Sequence, residues 1–253
     1  MTYCVGMRLD CGLIFMSDTR TNAGVDDVSK VCKMRHWEVP GERAITLLSA
    51  GNLATTQAVV SLLDERSKAP PERDPSILSA PSMFQVATLV GDILREVIAN
   101  QRGEGQEAKA AFSASLIVGG QIAGSEPRLF LIYPEGNFIE AGDDSPFFQI
   151  GETKYGRPII VRTYDPAMPF EDATRLLMVS FDSTIRSNLA VDLPLDLAVH
   201  ERDACRISHT QRIAESDPYF RRISEQWSLS LREAVTRLPP FEFADGDGGS
   251  ARG

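Results

Sequence analysis

Thr2-Tyr3-Cys4-Val5-Gly6-Met7-Arg8-Leu9-Asp10-Cys11-Gly12-Leu13-Ile14-Phe15-Met16-Ser17-Asp18 opens the readable part of the chain. Tyr3 to Leu9 alternates imperfectly, Asp10-Cys11-Gly12 signals a turn, and the apolar run Leu13 to Ser17 stops at Asp18-Thr19-Arg20. This pattern predicts a β-hairpin. A polar stretch rich in Gly and Asp follows, from Thr21 to Ser29. A second hairpin is then expected: a strand from about Val31 to Glu38, a turn at Pro40-Gly41-Glu42, and a return strand from Ala44 to Ala50. Asp18 thus ends one strand, and Lys33 lies near the start of another. Gly51 stands at a strand-to-helix turn, with Asn52 as the expected N-cap of the helix. All three positions converge on the start of the first strand.

Thr2 is the residue with chemistry to offer. A threonine hydroxyl is a weak nucleophile at neutral pH unless a base takes its proton. An N-terminal threonine carries that base itself, because a free α-amine has a pKa of about 8. Only Met1 precedes Thr2 in this sequence, so its exposure is expected from methionine excision and not from self-cleavage. Taken alone, Met-Thr is a common way to begin a protein.

Several ordered blocks carry a resemblance: Thr2; Ser17-Asp18-Thr19-Arg20-Thr21-Asn22-Ala23-Gly24; Lys33-Met34; Ser49-Ala50-Gly51-Asn52; Val118-Gly119-Gly120; Ile150-Gly151-Glu152-Thr153-Lys154-Tyr155-Gly156; and Phe181-Asp182-Ser183. Together they resemble the proteasome-type Ntn (N-terminal nucleophile) hydrolases. The blocks at 150–156 and 182–188 favour the bacterial Anbu (ancestral β-subunit) branch. The resemblance implies an α+β fold, the four-layer α-β-β-α sandwich, over residues 1–241 with a C-terminal helix included. It also implies a threonine-type amide hydrolase, a peptidase first, acting on a peptide or amide substrate within a homo-oligomer, a ring or open helical assembly.

Roles follow from the same resemblance. Thr2 Oγ attacks the scissile carbonyl, and its α-amine accepts the proton directly or through water. Lys33 favours the alkoxide and lowers the amine's pKa; Asp18 holds Lys33. The Gly51 N–H stabilises the oxyanion. Asp182, with Ser183 or Ser187, belongs to an outer polar shell, and Thr21, Val31, Ser49 and Leu53 line the pocket. Two positions depart from the pattern. Proteasome subunits usually have a serine where Glu152 stands, and three arrangements are open to it: binding the protonated amine, relaying protons, or pointing away. Tyr3 replaces a small residue. Three functions therefore remain open: a peptidase, a hydrolase of non-peptide or isopeptide amides, and a catalytically weak scaffold subunit.

The remaining sequence predicts helices from Leu53 to before Pro70-Pro71, after Ser82, briefly after Gly151 with Pro158 limiting or kinking it, over Phe170 to Ser187, and over Pro218 to Arg237. The last is amphipathic, with Phe220, Ile223, Trp227 and Leu231 on one face; contact with a neighbouring subunit and packing on its own domain are both open to it. Strands are expected at about Ser113 to Ile122, Arg128 to Tyr133, Asn137 to Ala141, Val191 to Val199 and Cys205 to Arg212, and a disordered tail over 242–253. A net charge of −9 argues against nucleic-acid partners. No apolar run is long enough for a membrane span, and no signal segment is apparent. The four cysteines lack paired spacing and His36, His200 and His209 are scattered, so neither metal nor cofactor is expected, and the thiols fit a reducing, cytoplasmic setting. Cys32 is expected to face away from Lys33, in a packing role.

Overall fold

A computed structural model describes residues 2–22, 28–68, 75–101 and 112–242. The first hairpin is present as β1 (Tyr3–Leu9) and β2 (Gly12–Asp18). It forms the middle of an antiparallel sheet that also contains β10 (Phe147–Gly151), β11 (Leu195–Glu201) and β12 (His209–Ile213), in the order β10-β1-β2-β11-β12. The second hairpin, β5 (Met34–Val39) and β6 (Arg43–Gly51), belongs to another sheet. That sheet continues through β7 (Ala114–Ile122), β8 (Arg128–Ile132) and β9 (Phe138–Glu140), with β5 at its edge.

The weak alternation of the early strands has a simple cause: both of their faces are buried. Successive side chains of a strand point to opposite faces. In β1, Tyr3, Val5 and Met7 enter one apolar cluster while Cys4 enters another. In β2, Ile14 and Met16 join the first cluster and Leu13 and Phe15 the second. The second cluster also takes Leu48, Ala50 and Ile117 from the other sheet, so it is where the sheets meet. That other sheet turns Ile45, Leu47, Leu116 and Val118 toward α1 (Leu53–Lys68) and α2 (Met83–Gln101). On the first sheet's far side lie α3 (Arg157–Thr163) and α4 (Phe170–Ser187), which contributes Ala173, Leu177 and Phe181.

The caps read from sequence are formed. Asn52 Oδ1 accepts the Thr55 N–H at 3.0 Å and Ser82 Oγ accepts the Gln85 N–H at 3.2 Å. Other expectations shift. β11 begins at Leu195, after Pro194 rather than through it, because proline has no N–H to give a central ladder. Its partner β12 starts at His209, later than the Cys205 expected. Pro158 sits in the first turn of α3, where its missing N–H costs nothing, and so opens that helix instead of limiting it. Strand β10 and the short pair β3 (Arg20–Asn22) and β4 (Val28–Lys30) were not anticipated. The last helix, α5 (Pro218–Thr236), buries Phe220 and packs Ile223 on the core, but leaves Leu229, Leu231 and Val235 exposed. The expected tail lies, from residue 243 onward, outside the described residues. Among those described, no helix is long and apolar enough to cross a membrane.

Candidate active site

Asp18, the last residue of β2, is fully buried, and Lys33 is nearly so. Lys33 Nζ donates to Asp18 Oδ1 and Oδ2 at 2.8 and 2.9 Å and to the Arg20 carbonyl. The backbone N–H of Tyr3 donates to the same Asp18 Oδ1 at 2.9 Å. One carboxylate oxygen therefore ties the start of β1 to the lysine. Burial raises the Asp18 pKa above the ordinary carboxylate range, and the Lys33 ammonium and the Tyr3 N–H offset this only in part.

Thr2 itself is buried, and its carbonyl accepts the Glu152 N–H at 2.6 Å. The next residue anchors it. The Tyr3 hydroxyl meets Ser180 Oγ at 2.7 Å and accepts from Gln149 Nε2 at 2.6 Å, and its ring lies 4.4 Å from that of Phe181. The departure at Tyr3 is thus a buried rivet that fastens the strand start onto α4. Opposite, Gly151 has φ +82°, and a Cβ there would come within 1.9 Å of the Thr2 carbonyl oxygen, so no other residue fits. Gly51, φ +119°, ends β6, and a Cβ there would meet the Ser113 carbonyl at 2.4 Å.

Thr2, Lys33, Gly51 and Gly151 line one cavity of about 870 Å³. Thr21, Val31, Ser49 and Leu53 line it as well, so the pocket residues inferred from the family register are brought together. Two charged members were missed. Arg35 and Asp64 also lie on its wall, joined by Arg35 Nη2 to Asp64 Oδ2 at 2.8 Å, and Trp37 Nε1 donates to Asp64 Oδ1 at 2.8 Å. A signal existed for Asp64, which lies three helical turns beyond Leu53. Cys32 corrects the expectation of a packing role. It is exposed and lines the cavity, with its Sγ 2.9 Å from the Met34 carbonyl, because residues 31–33 precede the strand and alternation does not govern them.

Glu152, Asp182 and Ser187 do not line this cavity. Glu152 is buried, with Oε1 accepting the Lys154 N–H at 3.0 Å and Oε2 accepting Asn188 Nδ2 at 2.9 Å. Both carboxylate oxygens thus have a donor from the protein, and Glu152 meets Thr2 through its backbone N–H. Asp182 is buried and accepts from Arg186 Nε at 3.1 and 3.2 Å. Ser187 is exposed and Ser183 half-buried, and their hydroxyls go to the Ser183 and Val179 carbonyls of their own helix. The histidines are less scattered than the sequence suggested. His36 Nδ1 and His200 Nε2 both meet Thr46 Oγ1, at 2.9 and 2.7 Å, and burial lowers both pKa values, that of His200 to about 3. Among the described residues, no three His, Cys, Asp or Glu side chains group so as to hold a metal ion.

No family model matches the sequence, and no curated protein does. Solved structures do. A Gly−1 mutant of Anbu from Hyphomicrobium sp. strain MC1 is 48% identical, with 96% of this chain and 100% of that one covered and a TM-score of 0.90. Anbu (ancestral β-subunit) from Yersinia bercovieri is 45% identical over 96% and 100% of the two chains, with a TM-score of 0.89. A helical assembly of the Anbu complex from Pseudomonas aeruginosa is 46% identical over 95% and 98%, also with a TM-score of 0.89.

Proposed function

The chain belongs to the Anbu family of ancestral proteasome β-subunits, and from that premise we propose that it is a threonine-type amide hydrolase, foremost a peptidase, with Thr2 as nucleophile once Met1 is removed. The observation that carries this reading is the shared cavity of Thr2, Lys33 and Gly51, with Asp18 buried directly behind the lysine. The family's four-layer sandwich accounts for the two sheets and the helices packed on their outer faces.

In the proposed reaction Thr2 Oγ attacks the carbonyl carbon of the substrate amide while the Thr2 α-amine takes the hydroxyl proton. Lys33, charged and held by Asp18, stabilises the developing alkoxide and disfavours protonation of the amine. The Gly51 N–H serves the tetrahedral oxyanion. Collapse expels the amine leaving group, protonated by the α-ammonium, and leaves an ester on Thr2. Water then attacks that ester, with the amine again acting as base. Glu152 holds the strand through its N–H, and Tyr3 positions Thr2. In this reading the Glu152 carboxylate, which accepts from Lys154 and Asn188, takes no part in proton transfer at the terminal amine.

The working form is a homo-oligomer, ring-like or helical, as the Pseudomonas aeruginosa relative's helical assembly suggests. The exposed apolar residues of α5 supply a surface for neighbouring copies.

Turnover of a quenched-fluorescence peptide library, compared between the mature protein and its Thr2→Ala variant, tests the reading. The expected result is loss of turnover with the oligomer unchanged by light scattering. Unchanged turnover refutes the assignment.

A further inference from the structure

The cavity at Thr2 extends well beyond a single side chain. Leu53 and Asp64 both line it from α1, and eleven residues of helix span about 16 Å at 1.5 Å per residue. An extended chain covers that distance with about five residues at ~3.3 Å each. The wall includes apolar Val31, Leu53 and Val60, and its charged side chains are Lys33, Arg35 and Asp64.

These charges are unequally spent. Lys33 gives its three N–H donors to Asp18 and the Arg20 carbonyl. Asp64 receives two donors, one on each oxygen, and its side chain is 24% exposed. Arg35 is 54% exposed and, among the described residues, gives one hydrogen bond, through Nη2. A guanidinium has five N–H donors in a planar fork, so an edge remains that another carboxylate can engage without displacing Asp64. An incoming ammonium meets an acidic group already twice bonded, beside a positive charge.

Resting on the reading of this cavity as the substrate cleft, we propose that the protein selects extended peptides bearing an acidic residue some positions from the scissile amide, with Arg35 as the group that reads that carboxylate. Leu53, two residues beyond Gly51, leaves a position next to the reacting bond to an apolar side chain. Arg35 is then a specificity residue and takes no part in the chemistry at Thr2.

The test is direct binding, which requires no turnover. Assembled Thr2→Ala protein is titrated with fluorescein-tagged hexapeptides in which a single Glu is walked along an apolar sequence, and each is compared with Gln and Lys at the same position. At one register Glu is expected to bind about two- to fivefold more tightly than Gln, the range of an exposed ion pair, with Lys weakest. That preference should fall away in 0.5 M salt and in Arg35→Gln, and persist in Arg66→Gln, a control outside the cavity. Equal binding of Glu and Gln peptides at every register, or a preference that survives Arg35→Gln, overturns the proposal and leaves the cleft intact. Failure of every peptide to bind overturns the cleft reading and the proposal with it.

Discussion

Asp18 and Asp182 are both buried and both paired with a cation, yet the two pairs are built in opposite ways. Asp182 takes its arginine from the next turn of its own helix, and Arg186 is 57% exposed. Such an (i, i+4) pair is set by the helix itself and needs no second element. Asp18 takes its lysine from fifteen residues along the chain, across the boundary between the two sheets, and Lys33 is 6% exposed. Desolvating such a pair is costly, and it is kept only where the geometry satisfies every charge. The inner pair buries both charges, whereas the helix pair buries only its carboxylate. The helix pair reaches solvent through its arginine, which also donates to Ser224 of α5 at 2.7 Å.

The largest expected difference comes from removing the two cations in turn. Lys33→Met strands a buried carboxylate and should cost about 3–5 kcal/mol in denaturant unfolding, with Thr2 reactivity down on the order of a hundredfold or more. Arg186→Met, which leaves Asp182 without its arginine and breaks the bond to Ser224, should cost about 1–2 kcal/mol and leave reactivity within about twofold. The double variant Asp18→Asn with Lys33→Met should recover much of the stability and none of the reactivity. Recovery of both would make the inner pair as ornamental as the outer one.

How much of this contrast was legible beforehand depends on which forces decide each residue. Hairpin turns, helix caps and the converging positions Asp18, Lys33 and Gly51 are set locally, by Gly, Pro and Asn chemistry and by abrupt ends of apolar runs, and they were readable. Strand β10 was not: Phe147-Phe148-Gln149-Ile150 is too short to show a period, and its place is fixed by pairing with β1. The role of Tyr3 was hidden for the same reason, since Ser180 and Gln149 come from remote elements. One partner of the Glu152 carboxylate, Asn188, lies 36 residues away and was hidden likewise. Asp182 and Ser187 were named from the family alone, and the helix supplies them with partners of its own.

A pH titration sharpens the comparison next. Burial raises the Asp18 pKa, so the paired, ionised form is lost at a higher pH than for an ordinary carboxylate. Thr2 reactivity is expected to fall on acidification with a limb above the usual carboxylate range. The stability sign is opposite. A raised folded-state pKa means that Asp18 favours the folded state below the unfolded pKa, and that this contribution is lost as pH rises through the folded value. Asp18→Asn should therefore remove a pH dependence of stability running in that direction; a limb unmoved by the substitution assigns it to another group.

Smaller again is Tyr3→Phe, which keeps the ring against Phe181 and deletes the hydroxyl's two hydrogen bonds. It should cost about 1–3 kcal/mol and slow labelling at Thr2 without changing the pH profile, because only placement is disturbed. A shifted profile would give Tyr3 a part in proton transfer. The smallest effect is expected at Ser187→Ala, within about 0.5 kcal/mol and with no change in reactivity.

The most direct measurement combines intact mass with labelling by an epoxyketone, which requires both a free α-amine and a neighbouring hydroxyl, mapped by peptide mass. The account predicts protein lacking Met1 that gains one adduct, on Thr2, and no adduct in Lys33→Met. Correctly processed and assembled protein that stays unlabelled at Thr2, or is labelled equally well without Lys33, contradicts it.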